Sequence, residues 1–164
     1  MTAMTGVLHY RPLADKRIST RITEVLSSWK GTPHIKGQQV KGEDGGVDCL
    51  RFVTGSLDEL TGREYQRFNH LPPDSSMHVR SAAIAIMKSI LEFYNPIERV
   101  TTDYLEDGDI LVSGMKGPGH GMLVGEGVLW HASGTRVCYT GLKLVDHYQK
   151  LFGIFRPMYK ESWI

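Results

Sequence analysis

The sequence predicts an α+β fold, with helices in the first part of the chain and an antiparallel sheet in the second. In the first 95 residues apolar side chains recur three or four positions apart, which is the spacing of amphipathic helices. After Pro96 this spacing gives way to short apolar runs separated by glycine-containing turns, the pattern of strands and hairpins. Helices followed by strands along one chain are typical of the α+β class.

Three helices are predicted, preceded by an extended arm or short edge strand in the first 16 residues. Each helix has a sequence signal for its end, because glycine and proline stop helices. The first carries its stripe from Ile22 to Trp29 before Gly31, the second runs from Cys49 to about Leu60, and the third spans Val79 to Tyr94.

Five strands are predicted in the second half, and the tight turn Glu126-Gly127 joins two of them into a hairpin. Pro157 places the last strand near an edge of the sheet. The strands are Ile110 to Val112, Gly121 to Val124, Val128 to Ala132, Thr135 to Thr140 and Ile154 to Tyr159. The connections include the turn Asp107 to Asp109, the loop Gly114 to Gly119, and a short helix or turn from Leu144 to Leu151.

Length and charge narrow the classes of function. A chain of 164 residues is most simply one domain, residues 1–164, and a net charge of +1 gives no electrostatic case for nucleic acid or an anionic membrane. No apolar run is long enough to span a bilayer, and the N-terminus does not resemble a secretion signal. We therefore expect a protein that is cytoplasmic as synthesised. Two cysteines, Cys49 and Cys138, are too few for a disulfide framework.

Cys49 is the first candidate for chemistry, because it lies where the glycine-rich stretch Gly42 to Val47 ends and a helix begins. A helix N-terminus carries partial positive charge and unpaired N–H groups, which favour a thiolate and lower the pKa of the thiol. A nucleophile needs such a position. The alternative is a small buried residue, since free cysteine is among the most buried residue types.

Two histidines are candidates for the base that a catalytic cysteine requires. His120 opens one strand of the predicted hairpin and His131 closes the other, so the two lie near each other at its open end. One could take the thiol proton while the other orients it. A surface histidine is the simpler interpretation for either one alone. Cys49, His120 and His131 could instead bind zinc, which accepts sulfur and imidazole ligands.

The remaining motifs predict no cofactor and no metal. The loop Gly114 to Gly119 lacks the Lys-Ser/Thr pair of a phosphate-binding loop. The acidic residues Asp103, Asp107 and Asp109 lack the spacing of a calcium loop and fit turns and caps better. Cys138 lies in mid-strand, where packing in the core is expected.

Four segments together resemble the NlpC-type cell-wall peptidase family, a group of papain-like cysteine hydrolases. They are Trp29 to Pro33, Gly45 to Cys49 with Phe52-Val53 after it, Asp107 to Leu111, and Gly119-His120 through Val128 to Ser133. The resemblance implies a papain-like fold with the nucleophile helix packed on an antiparallel sheet. It also implies that Cys49 is the nucleophile, that His120 is the general base and acid, and that His131 orients His120.

The chain also departs from the family pattern around the site. The resemblance implies that His34, Asp48 and Leu50 contact substrate, with Leu50 in place of the usual serine and His34 in place of the usual tyrosine. Leucine at this position is a feature of some phage-encoded relatives. The segment from His120 to His131 is one residue shorter than the common pattern, and a one-residue slip would turn side chains to the other face of a sheet. A different turn must absorb this difference.

The function expected from this resemblance is hydrolysis of an amide or peptide bond in the stem peptide of peptidoglycan. The partners would be peptidoglycan or another peptide substrate and, for a phage protein, other proteins of the tail. Without an export signal, the enzyme would reach the wall in a virion or through a secretion system. The alternatives are a catalytically silent tail or scaffold component with the same fold, and an amidase acting on a substrate outside the wall.

Overall fold

A computed structural model describes residues 9–60, 97–100, 104–113, 120–142 and 151–157 of the chain. Within these residues the structure has two helices and ten strands, which confirms the mixed α+β class. The helices are α1 (Lys16–Ser28) and α2 (Cys49–Leu60). The strands are β1 (His9–Tyr10), β2 (Gln39–Val40), β3 (Gly46–Val47), β4 (Ile97–Val100), β5 (Tyr104–Leu105), β6 (Ile110–Ser113), β7 (His120–Gly125), β8 (Val128–Ser133), β9 (Arg136–Gly141) and β10 (Leu151–Pro157).

Six strands form the main sheet, in the order β4, β10, β6, β7, β8, β9, with every neighbouring pair antiparallel. The last strand, β10, lies second from the edge of the sheet. The edge strand beside it is β4, which the sequence analysis did not predict. The turn between β7 and β8 is Glu126-Gly127, as predicted. Its φ angles of 50° and 71° are the positive values that a two-residue hairpin turn of type I′ requires.

Both described helices contribute to the core on one side of the sheet. Helix α1 begins after Asp15, whose carboxylate accepts the backbone N–H of Arg17 at 2.9 Å and caps the helix. Its buried stripe is Ile22, Val25 and Leu26. In α2 eleven of twelve residues are buried, so this helix lies at the centre of the core. The sheet side chains that join the same cluster include Ile110, Val112, Leu123, Trp130, Ala132, Val137 and Phe155.

The opposite face of the sheet carries a second, smaller apolar cluster. Its members are Leu105, Leu111, Met122, Val124, Leu129 and Ile154, all fully buried. Successive side chains in a strand point to opposite faces, so residues of β7 alternate between the two clusters. This alternation decides which side of the sheet each candidate residue occupies.

The described part of the N-terminal arm contains β1, which pairs in parallel with β5 in a separate two-stranded sheet. The hydroxyl of Tyr10 lies 2.9 and 2.8 Å from the two carboxylate oxygens of Asp107, and Ser19 donates to the same carboxylate at 2.5 Å. Arg11 forms an ion pair with Glu106. The described part of the predicted arm therefore includes a short paired strand, and helix α1 already begins at Lys16.

Three predicted segments fall outside the described residues. They are the third helix, Val79 to Tyr94, the loop Gly114 to Gly119, and residues 144–150 of the predicted short helix or turn. The division of residues 1–164 into one domain stays a prediction. In the part of the chain that the structure describes, no helix combines the length and apolar character needed to cross a bilayer.

Candidate active site

Cys49 is the first residue of α2, as the sequence predicts. It follows β3, which pairs with β2 and so holds the glycine-rich segment in a tight turn. At Gly45 an added Cβ would lie 2.0 Å from the carbonyl oxygen of Val40, a distance that real Cβ atoms do not show. Only glycine fits there without moving the backbone, so the glycine-rich sequence is what lets the chain reach the start of α2.

Asp48, expected to contact substrate, caps the cysteine helix. One carboxylate oxygen accepts the backbone N–H of Arg51 at 2.8 Å, three residues into the helix. The other accepts the backbone N–H of Gly37 at 2.8 Å and the guanidinium of Arg51 at 2.6 Å. Both side chains of the Asp48–Arg51 pair are buried. The carboxylate is thus committed to the protein itself in this conformation.

The thiol of Cys49 is buried, with 8% of the residue exposed. Burial and, to a lesser extent, the charge of Asp48 raise its pKa to about 12, against hydrogen bonds from the backbone N–H groups of Gly121, Leu50 and Cys49 itself. The expectation that the helix N-terminus lowers the thiol pKa is therefore wrong for this conformation. Desolvation outweighs the backbone donors, so the resting side chain is a neutral thiol at pH 7.

His120 and His131 lie in contact, as the hairpin predicts. Nε2 of His120 is 2.6 Å from Nδ1 of His131, and the ring centroids are 4.9 Å apart at an interplanar angle of 74°. His131 is 2% exposed, whereas His120 is only partly buried. Burial lowers the pKa of His131, and the nearby charge of His34 lowers it further, so its imidazole is neutral at pH 7.

The two strands that carry the histidines separate at this end of the hairpin. β7 and β8 are paired at Leu123–Trp130, Val124–Leu129 and Gly125–Val128, and their register pairs stop there. Beyond that point β7 pairs with β6, and β8 pairs with β9. The separation leaves the N–H of Gly121 to hydrogen-bond the thiol of Cys49.

The thiol and the imidazole pair therefore meet the same short stretch of β7. Gly121 faces α2, because an added Cβ would lie 3.0 Å from Cγ2 of Val53 and 3.6 Å from the carbonyl oxygen of Cys49. His120 immediately precedes it, and its ring contacts His131. The two-residue turn Glu126-Gly127 joins the two strands that carry the histidines, whose rings are in contact.

The other predicted substrate contacts are placed differently. Leu50 is fully buried in the main cluster. His34 is partly exposed near the β8–β9 turn, where its Nδ1 lies 3.1 Å from the carbonyl oxygen of Gly134. Cys138, expected in the core, is only partly buried and lies opposite His131 in the β8–β9 register. Both cysteines are free thiols.

The sequence analysis missed one polar neighbour of the pair, Thr140 on β9. Its Oγ1 lies 3.2 Å from Nε2 of His131, on the side of the ring opposite to His120. A threonine in an exposed strand has no distinctive pattern in a sequence, so only the register of β8 and β9 identifies it.

Zinc was the alternative ligand for Cys49, His120 and His131. Among the described residues, which include all three, no group of three or more His, Cys, Asp or Glu side chains has the geometry to hold a metal ion. The zinc alternative therefore has no geometric support here.

Comparison of the chain with models of protein families gives no match, and no curated protein matches it.

Proposed function

We propose that the protein is a cysteine hydrolase of papain-like architecture, with Cys49 as nucleophile, His120 as general base and acid, and His131 as the residue that orients His120. The observation that carries the proposal is the junction at Gly121. The N–H of Gly121 donates a hydrogen bond to the thiol of Cys49. The residue before Gly121 is His120, whose imidazole contacts His131. The start of α2 and the strands β7 and β8 thus supply the three residues of the proposed site.

The raised thiol pKa favours one form of the mechanism. Because the resting thiol is protonated, no stable thiolate–imidazolium pair exists before substrate binds. His120 would remove the proton as the sulfur attacks the carbonyl carbon, in the way that a general base activates a hydroxyl nucleophile. The proton would then pass to the leaving amine, and water would release the acyl group from Cys49.

The backbone around Cys49 could supply the stabilisation that the transition state needs. The N–H groups of Cys49 and Leu50 lie at the N-terminus of α2, where they surround the sulfur. Such N–H groups stabilise the negative oxygen of a tetrahedral intermediate when they point to where it forms. Asp48 and Arg51 would hold this turn rigid, because they cap and brace the first turn of the helix.

The substrate class that we propose is the stem peptide of peptidoglycan, which rests on the motif resemblance. An association with phage tail proteins and delivery in a virion or by a secretion system belong to the same proposal. A different amide substrate is compatible with the same three residues, and the products released from cell walls would distinguish the two.

One observation favours a second candidate, a catalytically silent structural component with the same fold. The thiol of Cys49 is buried and strongly disfavours the ionised form, as a structural cysteine does. The two candidates differ in what happens when substrate is offered. The hydrolase forms an acyl-enzyme at Cys49, whereas the silent component leaves the thiol unmodified.

The experiment is digestion of isolated peptidoglycan sacculi by the purified protein, with products identified by mass spectrometry. The variants are Cys49→Ala, His120→Ala and, as the matched control, Cys138→Ala, which removes the other thiol. We expect the wild type and Cys138→Ala to release peptide fragments and the other two variants to release none. Full activity of His120→Ala would contradict the assignment of the base.

A further inference from the structure

Thr140 closes a chain of hydrogen bonds that begins at His120. The chain runs from Nε2 of His120 to Nδ1 of His131 over 2.6 Å, and from Nε2 of His131 to Oγ1 of Thr140 over 3.2 Å. It crosses three adjacent strands, β7, β8 and β9. Both ring nitrogens of His131 therefore have a side-chain partner.

The direction of these hydrogen bonds decides whether His120 can act as a base. A neutral imidazole carries one N–H, so one nitrogen donates and the other accepts. If Thr140 accepts from Nε2 of His131, then Nδ1 of His131 accepts from Nε2 of His120. The unprotonated nitrogen of His120 is then Nδ1, which can take a proton. With the opposite direction, His120 carries its proton on Nδ1 and cannot serve as the base.

The surroundings of His131 keep its imidazole neutral near pH 7, so the ring carries a single N–H. The residue is 2% exposed, and burial and the charge of His34 both lower its pKa, so the ring does not become an imidazolium that donates from both nitrogens. The hydroxyl of Thr140 can accept a hydrogen bond from an N–H of His131 or donate one to an unprotonated nitrogen, so it can pair with either tautomer of the neutral ring. The hydroxyl of Thr140 is therefore a suitable partner for a buried neutral histidine.

We propose that Thr140 is a positioning residue for the proposed hydrolase: its hydroxyl accepts the Nε2 proton of His131 and so fixes His120 in the tautomer whose Nδ1 takes the thiol proton. This inference rests on the proposed function. In the step, the proton of the Cys49 thiol moves to Nδ1 of His120 while the sulfur bonds to the carbonyl carbon. The carbonyl electron pair moves to oxygen, and on collapse the proton passes to the leaving amine. Thr140 exchanges no proton with the substrate.

The first readout is activity. Thr140→Val keeps the shape of the side chain and removes the hydroxyl, whereas Thr140→Ser keeps the hydroxyl. We expect Thr140→Val to lower the maximum rate of peptide release from sacculi roughly 5- to 10-fold, the loss expected for one hydrogen bond. The concentration of sacculi at half-maximal rate should not change, and Thr140→Ser should recover most of the rate. Thr135→Val, at an exposed threonine in the turn between β8 and β9, is the matched control and should behave as the wild type.

The second readout does not depend on activity. Long-range proton–nitrogen correlation spectra of the ¹⁵N-labelled imidazoles report which ring nitrogen carries the proton. We expect Nε2–H tautomers for both His120 and His131 in the wild type and in Thr140→Ser, and a mixture of tautomers in Thr140→Val. The wild-type tautomers in Thr140→Val, or a proton on Nδ1 of His131 in the wild type, would overturn the proposal.

The two readouts separate this proposal from the one on which it rests. If sacculi are not cleaved but the tautomers change in Thr140→Val, the hydrolase proposal fails while the effect of Thr140 on the imidazole pair stands. If sacculi are cleaved and Thr140→Val cleaves them at the wild-type rate, the hydrolase proposal stands and Thr140 has no positioning role.

Discussion

Replacement of Asp48 by alanine tests whether the cysteine helix is held by its cap. The carboxylate accepts the backbone N–H of Arg51 and of Gly37, each at 2.8 Å, and the Arg51 guanidinium at 2.6 Å. Asp48→Ala removes all three hydrogen bonds at once. It also leaves a buried guanidinium without its carboxylate partner.

The expected cost can be assembled from these contacts. Loss of an N-cap carboxylate costs about 1 kcal/mol. Removal of one partner from a buried ion pair costs about 3–5 kcal/mol. Because Arg51 has further interactions, we take the lower end of that range and expect a total of about 3–4 kcal/mol. A domain of this size has a free energy of unfolding of roughly 5–15 kcal/mol, so the loss should be a large fraction of it.

Urea denaturation monitored by circular dichroism measures this loss of stability as a lower midpoint concentration of urea, with an unchanged dependence of the free energy on urea concentration. Asp48→Asn should lose less, because asparagine still caps the helix while its charge is gone. Asp44→Ala, at an exposed carboxylate in the same loop, is the control and should stay within about 0.5 kcal/mol of the wild type. A loss below about 1 kcal/mol in Asp48→Ala would refute the reasoning that the cap and the buried pair hold this turn.

Three further predictions follow from the same structure. Iodoacetamide at pH 7.5 should modify the partly exposed Cys138 before Cys49, and the rate at Cys49 should rise roughly tenfold per pH unit towards its pKa of about 12; a plateau near pH 8.5 would contradict the burial argument. Burial and a carboxylate partner raise the pKa of Tyr10, so Tyr10 ionises first in the unfolded state, and stability falls as pH rises above about 10. The fall in the urea midpoint between pH 9 and pH 11 should be smaller in Tyr10→Phe than in the wild type. Equal falls in the two proteins would show that Tyr10 does not cause this loss of stability. Gly45→Ala should lose at least about 2 kcal/mol of stability in urea denaturation, because its Cβ would lie 2.0 Å from a carbonyl oxygen, whereas Gly141→Ala has open space and should lose little; equal losses would show that the close approach is not what requires glycine.

Local sequence signals predicted the elements on which the site is built. The spacing of apolar residues after Cys49 located the start of α2, because helical period and turn chemistry are both properties of neighbouring residues. The turn Glu126-Gly127 predicted the hairpin, and through it the contact of His120 with His131. Both inferences needed only contacts within about a dozen residues.

The properties that the sequence did not predict depend on packing between distant segments. The thiol pKa of Cys49 follows from burial, which no local pattern reports, and so the helix N-terminus alone gave the wrong direction. The sequence did not predict that the Asp48 carboxylate accepts the backbone N–H of Gly37, eleven residues earlier. Thr140 became a neighbour of His131 only through the pairing of β8 with β9.

The central claim, that Cys49 is the nucleophile of a hydrolase that cleaves peptidoglycan, is tested most directly by mass spectrometry of sacculi treated with the wild type, Cys49→Ala and Cys138→Ala proteins. The account predicts muropeptide fragments from the wild type and from Cys138→Ala, and none from Cys49→Ala, with all three proteins unfolding at similar urea concentrations. Fragments released equally by Cys49→Ala, or none released by the wild type, would contradict it.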